Sequence, residues 1–512
     1  LTVRYLLSYG RSAAAVDSRL SGAASDWLAL GGGALLPLAF APFDLYPLAI
    51  LLMALLLWLW EGETPGRAAW RGGLFGFGLF LTGIYWVYIS LHDYGNAPAA
   101  FAALATLILI LAMALYPAVA GYLLTRIAPQ PGAFRWLLMA PALWVGLEWV
   151  RSWLLTGFPW LSLGYSQIDG SLAGIAPYLG VFGVSWVVML SAGLVLLLIR
   201  DSGRARWGWG AVLVILWAST WGLGQIDWVR PAGKPLQVSL VQGNIAQDQK
   251  WSPEELERTL ALYARLSLEE AKGSDIIIWP ETAIPTFYED VEGFVQSLAE
   301  AARDTGTDYL AGVPAGSRKA GIFYNSVVSL GSTQGFYYKR RLLPFGEYLP
   351  LRSLLTLFRD FVDIPMADFT PGSVDQPLLS AAGHPVGVSI CFEAAFGSEI
   401  RLAVPQAHFL VNVSNDAWFG DSLAPHQHLQ IARMRALEMG RTMARATNTG
   451  ISALIDEHGR ITARSNPFTT EVLRGSVQPL SGATPYVRLG DGGIVALVGI
   501  LLALGLFLGR RT

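Results

Sequence analysis

Apolar residues follow two different patterns along this chain, and the change falls near residue 235. Upstream of it, runs long enough to cross about 30 Å of hydrocarbon lie near 24–42, 45–60, 71–91, 98–126, 135–155, 174–199 and 207–224, and one more lies near 490–509. The pattern predicts eight spans, seven before a soluble domain and one after it. The run 45–60 is short, and only Pro42-Phe43-Asp44 separates it from the run before, so the two can also be read as a re-entrant pair. Residues 1–23, with Arg4, Arg11 and Arg19, are too mixed to span and are expected to form a cytoplasmic segment. The run 24–42 has no small-residue cleavage site ahead of a polar chain, which argues for a retained span rather than a removed signal peptide.

Downstream, short β-branched runs that end in turn residues alternate with charged stretches of helical period. Strands are expected at 237–241, 275–279, 308–313, 326–330, 335–339, 386–391 and 408–413, with helices at 253–272, 289–304 and 426–440. Such alternation argues for an α/β domain, buried strands with helices packed on the sheet, over residues 235–485. Residues 24–228 then form the membrane domain, and 490–509 a C-terminal transmembrane helix.

Positive charge orients the spans, because cytoplasmic loops retain Lys and Arg. Arg4, Arg11, Arg19, Arg67, Arg71, Arg126, Arg135, Arg200, Arg204, Arg206, Arg510 and Arg511 fall in alternate connections on one side, against Arg151, Arg230, Lys234 and Arg488 on the other. Both termini are therefore expected in the cytoplasm and 235–485 outside it, which in a bacterium is the periplasmic side of the inner membrane. Composition agrees, with 53% apolar and 14% charged residues and a mean hydropathy of +0.43. The nineteen tryptophans and eighteen tyrosines suit interfacial belts as well as ordinary packing. A net charge of −2 gives no reason to propose a nucleic-acid partner, which would need a dense basic surface. No strand precedes Gly31-Gly32-Gly33, Gly76 or Gly78, so they read as points of close helix approach rather than cofactor loops. No cofactor is expected. The aromatic loop 157–167 faces outward on this topology and is expected to border the mouth of a site.

Cys391 is the only cysteine, so no intramolecular disulfide can form. A lone cysteine is more often inert filler than nucleophile, and its surroundings must decide. Glu281 follows the run Ile276-Ile277-Ile278-Trp279, Lys339 ends Phe336-Tyr337-Tyr338, and Cys391 ends Val388-Ser389-Ile390. Sites in such sheets gather at the carboxyl ends of strands, so the three can converge. A free thiol with a pKa of about 8.5 is scarcely ionised at neutral pH, and a carboxylate base and an ammonium are the usual means of activating it. On this reading Glu281 takes the thiol proton and later deprotonates an incoming nucleophile. Lys339 stabilises the thiolate and an oxyanion, and Glu347 holds Lys339. Taken singly, each has a plainer reading: Glu281 a helix-cap acid, Lys339 and Glu347 a surface pair, Cys391 a core thiol.

Trp279-Pro280-Glu281, Lys339-Arg340-Arg341-Leu342-Leu343-Pro344-Phe345-Gly346-Glu347-Tyr348 and Ile390-Cys391-Phe392-Glu393 resemble the three signatures of the nitrilase (carbon–nitrogen hydrolase) superfamily over the whole of 235–480. With spans before and after, the full chain resembles the apolipoprotein N-acyltransferases, the membrane branch of that superfamily. Further segments that carry the likeness are Val241-Gln242-Gly243-Asn244 leading to Trp251, and Ser414-Asn415-Asp416-Ala417-Trp418-Phe419-Gly420 leading to Pro425-His426-Gln427-His428. The resemblance implies an αββα sandwich and transfer of an acyl chain from a phospholipid to the amino group of a diacylglyceryl-cysteine, the last step of bacterial lipoprotein maturation. It implies Glu281 as base, Lys339 as oxyanion stabiliser, Cys391 as nucleophile, Glu347 as an essential helper, and Glu393 and Trp251 as supporting residues. Phe392 stands where a Tyr often follows the Cys, so ring packing is kept without a hydroxyl.

Both implied substrates live in the bilayer. Leu351, Leu354, Leu355 and Phe358 repeat at helical spacing beside Arg352 and Arg359, which fits a helix at an interface and equally one packed on the core. Trp251, Trp418, Phe419 and 342–369 are the candidates for keeping water from a thioester. His426 and His428 have no cysteine partner or acid at ligand spacing, so a helix-start or loop-anchoring role is expected rather than a metal. Glu148 and Arg151, inside a predicted span, are expected to pair one turn apart. A monomer is expected. The rivals are a membrane-anchored amidase using water as acceptor and a transporter or lipid-binding scaffold without catalysis.

Overall fold

A computed structural model describes residues 22–270, 273–348 and 369–509. The predicted interfacial stretch around Leu351, Leu354, Leu355 and Phe358, and the arginines at 4, 11, 19, 352, 359, 510 and 511, lie outside the described residues. The chain forms two compact units. One holds the residues up to Tyr85, 103–226 and those from Leu489 onward; the other holds Trp86–Ala102 and Asp227–Arg488.

The first unit is helical. Ala99–Ile127, most of which lies in it, and Ser171–Arg200 are long and apolar enough to cross a membrane, and the consecutive helices Pro65–Gly83 and Trp86–Tyr94 qualify if taken as one bent span. Pro47–Leu59 and Gly492–Phe507 are apolar but shorter. The expected run 24–42 is helical only over Gly22–Leu35, because Pro37 cannot continue the hydrogen-bond ladder and the chain tightens into the 3₁₀ turn Leu36–Ala39. The helices Gly22–Leu35 and Pro65–Gly83 meet at glycines: a Cβ on Gly33 would lie 1.9 Å from the Phe75 carbonyl oxygen, and one on Gly78 would lie 2.3 Å from that of Leu30. These glycines therefore serve backbone approach, as the absence of a preceding strand suggested. Glu148 and Arg151 do not form a direct ion pair. Both turn to the loop 157–167: Arg151 donates to the Trp160 carbonyl at 2.5 Å and to Ser162 Oγ at 3.2 Å, and Glu148 accepts from the Leu163 N–H at 2.9 Å. An irregular loop in apolar surroundings needs such partners for its backbone groups, and that need outweighs direct pairing.

The second unit contains two six-stranded sheets. In chain order the strands are β1 (Leu236–Gln242), β2 (Ile276–Ile278), β3 (Asp308–Ser317), β4 (Ile322–Leu330), β5 (Gly335–Tyr338), β6 (Leu379–Ala381), β7 (His384–Ile390), β8 (Phe409–Ser414), β9 (Met443–Thr447), β10 (Ala453–Ile455), β11 (Ile461–Arg464) and β12 (Glu471–Val477). One sheet runs β12-β1-β2-β3-β4-β5, the other β11-β10-β9-β8-β7-β6. The central strands β1-β2-β3 and β7-β8-β9 are parallel. Ile276, Ile277 and Ile278 are all fully buried, since a parallel strand covered on both faces has no solvent side. Helices Pro253–Glu270 and Glu292–Thr305 cover the first sheet through Tyr263, Leu266, Val295 and Leu298. Helix Ala424–Met439 covers the second through Leu429, Ala432, Ala436 and Met439. Between the sheets, Gln242 of β1 accepts from Ser452 Oγ at 2.7 Å and Ser465 Oγ at 2.8 Å. The result is an αββα sandwich, in which β2, β5 and β7 end immediately before Trp279, Lys339 and Cys391.

Candidate active site

The turn after β2 is held by Trp279, whose buried ring packs on Tyr263 with centroids 5.1 Å apart and donates from Nε1 to Ser267 Oγ at 2.8 Å. Its next residues place the Glu281 carboxylate among three donors. Oε1 accepts from Asn325 Nδ2 at 2.7 Å and lies 3.5 Å from Lys339 Nζ, and Oε2 accepts from the Asn415 N–H at 2.9 Å. Lys339, after β5, is tied by its N–H to the Asn325 carbonyl at 2.8 Å. Its ammonium donates to Glu347 Oε1 at 2.9 Å, and Asn325 donates to the same oxygen at 2.7 Å. Glu347 Oε2 in turn accepts the Leu343 N–H at 2.7 Å, closing the loop between the two residues. Burial works against the Lys339 charge, but Glu347 and Glu281 together outweigh it and hold the ammonium well above the ordinary lysine range.

Cys391 follows β7 with φ +50°, in the left-handed region that a side chain enters only under constraint, at a cost of about 1–3 kcal/mol. Glu281 and Lys339 lie close enough for their charges to act on the thiol. Burial and then the Glu281 carboxylate push the thiol up, and Lys339 offsets only part of this. The sulfur therefore rests protonated, and Lys339 acts in favour of the thiolate as expected, but by less than burial and Glu281 act against it. Ionisation must accompany proton transfer to a base, and Glu281 is the carboxylate that acts on it most strongly.

Glu393 links the two signature turns. It accepts from the Ile390 N–H at 2.7 Å, the Arg340 N–H at 2.7 Å, the Arg341 N–H at 3.1 Å and Tyr337 Oη at 3.0 Å. Phe392 packs edge-on against Phe396, centroids 4.9 Å apart. The three gating candidates are more peripheral. Trp251 and Trp418 are exposed, whereas Phe419 packs edge-on against Trp86 at 5.0 Å.

Three participants, Lys250, Asn325 and Arg445, went unseen in the sequence, and a fourth, Asn415, was named only as part of a longer segment. Lys250, beside Trp251, is buried, and its ammonium donates to the main-chain carbonyl of Glu281 at 3.1 Å. Burial pulls it down to about 8, against the opposing charge of the Glu281 carboxylate. Asn325 and Asn415 grip Glu281 from two sheets, and Arg445 forms a buried ion pair with Asp416 at 2.9 Å. A lysine in a polar loop and an asparagine in a β-branched strand carry no local mark of such a role. His428 was visible, and its expected anchoring role takes a specific form: Nδ1 lies 3.0 Å from Asp416 Oδ1 and Nε2 lies 3.1 Å from the Cys391 carbonyl oxygen.

Residues 32–194 match the model of the apolipoprotein N-acyltransferase N-terminal domain, and 237–486 match that of the carbon-nitrogen hydrolases. An apolipoprotein N-acyltransferase from Methylococcus capsulatus is 47% identical over 93% of this chain and 95% of its own length. One from Nitrosomonas europaea is 47% identical over 92% and 95%, and one from Azotobacter vinelandii 46% identical over 95% of both. Among solved structures, a carbon-nitrogen hydrolase from Helicobacter pylori aligns at 15% identity and a TM-score of 0.36, covering 48% of this chain and 89% of that one.

Proposed function

The chain belongs to the apolipoprotein N-acyltransferase family, and from that premise we propose that it moves a fatty acyl chain from a membrane phospholipid to the α-amino group of an apolipoprotein's N-terminal diacylglyceryl-cysteine. The observation that carries this reading is the meeting of Glu281, Lys339 and Cys391 at the ends of β2, β5 and β7.

Cys391 Sγ attacks the carbonyl carbon of the phospholipid ester while its proton passes to Glu281. The oxyanion that forms is stabilised by the Lys339 ammonium, held in place by Glu347, with backbone N–H groups near Cys391 as further donors. Collapse breaks the ester C–O bond, the lysophospholipid leaves with the proton held by Glu281, and a thioester remains on Cys391. The lipoprotein amine then attacks the thioester and gives a proton to Glu281. The second tetrahedral intermediate expels sulfur, which recovers that proton as the amide is released. Glu393 sets the spacing of the Lys339 and Cys391 turns. Trp251, Trp418 and Phe419 keep water from the thioester, because hydrolysis would discard the acyl group.

The first unit serves as the membrane domain, with eight spans, both termini in the cytoplasm and 235–485 in the periplasm of a bacterial inner membrane. Two features support this topology. Leu104, Leu107, Ile108, Leu111 and Leu115 stand exposed on one long helix, a stripe suited to an apolar solvent. Residues from three of the positive connections also meet at one place: Arg71 donates to the Leu59 carbonyl, Arg135 to the Trp60 carbonyl, and Arg200 pairs with Glu61.

Incubation with phospholipid alone is expected to add one acyl mass to Cys391, and a diacylated lipopeptide added afterwards should remove it and gain that mass. An unmodified wild-type protein, or Cys391→Ala that still converts the lipopeptide, would sink the proposal. Steady release of free fatty acid or ammonia without lipopeptide modification would identify a hydrolase instead.

A further inference from the structure

His428 is fully buried in the first turns of helix Ala424–Met439 and takes no part in the reaction described above. Its two ring nitrogens face two acceptors, the Asp416 carboxylate at 3.0 Å and the Cys391 carbonyl oxygen at 3.1 Å. Neither oxygen can donate, so each contact needs a proton on the ring nitrogen that faces it; burial and the Arg445 charge work against the ring carrying both protons, while Asp416 and the Cys391 carbonyl favour it. Asp416 is itself fixed by Arg445 at 2.9 Å and Ser414 Oγ at 2.8 Å. The residue between Ser414 and Asp416 is Asn415, whose N–H holds the Glu281 carboxylate at 2.9 Å. The end of β8 thus reaches the base directly and the nucleophile through His428. Cys391 needs such a hold, because its left-handed backbone persists only where surrounding contacts over-determine it. The Ile390 N–H is gripped by Glu393 on one flank, and the Cys391 carbonyl by His428 on the other.

We propose that His428 is a positioning residue for the nucleophile: its Nε2–H holds the Cys391 carbonyl, keeps the strained turn in place, and registers the sulfur against Glu281. This rests on Cys391 being the reacting group. The two conservative amides separate the two sides of the ring, since the Gln amide nitrogen reaches the position of Nε2 and the Asn amide nitrogen that of Nδ1.

The test compares full-length His428→Gln, His428→Asn and His428→Ala for the rate of acyl-enzyme formation with phospholipid, for Cys391 alkylation by iodoacetamide, and for thermal unfolding. His428→Ala and His428→Asn are expected to acylate about 10²-fold more slowly, the scale of loss when a reacting group is misplaced by about 1 Å, and His428→Gln to recover most of that rate. Each amide keeps one of the two contacts, so a purely structural role would lower both variants alike. Equal rates for Gln and Asn, whether both high or both low, overturn the proposal. Alkylation should follow the same order; if it does while wild type takes no acyl group from phospholipid, the positioning stands and the acyl-transfer reading fails.

Discussion

Both units bury charge, but they use it differently. In the helical unit Glu148 and Arg151 both hydrogen-bond the backbone of the loop 157–167, and Arg135 donates to the Ala128 and Trp60 carbonyls. Those charges supply hydrogen-bond partners to buried backbone groups. In the sandwich Glu281 and Glu347 flank Lys339, with Asn325 bridging the two carboxylates and the Asn415 N–H on Glu281, and Glu281 and Lys339 bear on a protonated sulfur. A buried charge that serves the backbone is a staple. One that serves another charge beside a thiol is poised for proton transfer.

The difference can be broken most decisively at Glu281. Glu281→Gln should lower acyl-enzyme formation by about 10²–10⁴-fold, the range for a lost general base. Because the Glu281 charge helps push the thiol up, the same variant should shift the pH midpoint of iodoacetamide alkylation downward. A midpoint that stays or rises would show that the carboxylate does not act on the sulfur. Next in size, Glu347→Gln leaves Lys339 with one carboxylate at 3.5 Å. Removing one partner of a buried pair typically costs about 3–5 kcal/mol, so both unfolding temperature and acylation rate should fall, whereas a surface pair would leave both unchanged.

Lys250 gives a pH-dependent effect. Its folded value of about 8 lies below the ordinary 10.5, so between those values the unfolded chain binds more protons and stability from this group rises with pH. Lys250→Met should remove that rise from the pH dependence of unfolding. It should also flatten any loss of acylation above about pH 8, where the wild-type ammonium gives up its proton. The smallest effect on chemistry is expected in the helical unit. Glu148→Gln and Arg151→Met should lower the unfolding temperature while the folded fraction keeps its acylation rate on Cys391. A matching loss of rate per folded molecule would erase the distinction between staple and machinery.

The strands up to β8, except the three-residue β6, and the three outer helices were legible to within a few residues, because β-branched runs and the 3.6-residue period survive in any context. The four strands from β9 to β12 were not. β9 carries the buried Arg445, and β11 alternates half-buried with exposed positions in Ile461-Thr462-Ala463-Arg464, so neither shows an apolar run. The helical ends inside the apolar runs were equally hidden, since Pro37 and the Gly180 kink, with φ +66°, act through backbone geometry rather than hydropathy. At the site, Glu281, Lys339, Glu347, Cys391 and Glu393 stood out through their signature segments. Lys250, Asn325 and Arg445 did not, because each looks locally like an ordinary surface or strand residue.

Residue order alone determined which segments pair with lipid-like or sheet-like surroundings and which few side chains end their strands, since periodicity and strand ends are local properties of the chain. Only the tertiary structure decided the electrical state of those side chains: that the sulfur rests protonated, that a lysine from a loop is held against the Glu281 carbonyl, and that one histidine spans a carboxylate and the Cys391 carbonyl. Proton affinity depends on every charge and dipole within a few ångströms, and folding alone brings residues 250, 281, 339, 391 and 428 within that distance of one another.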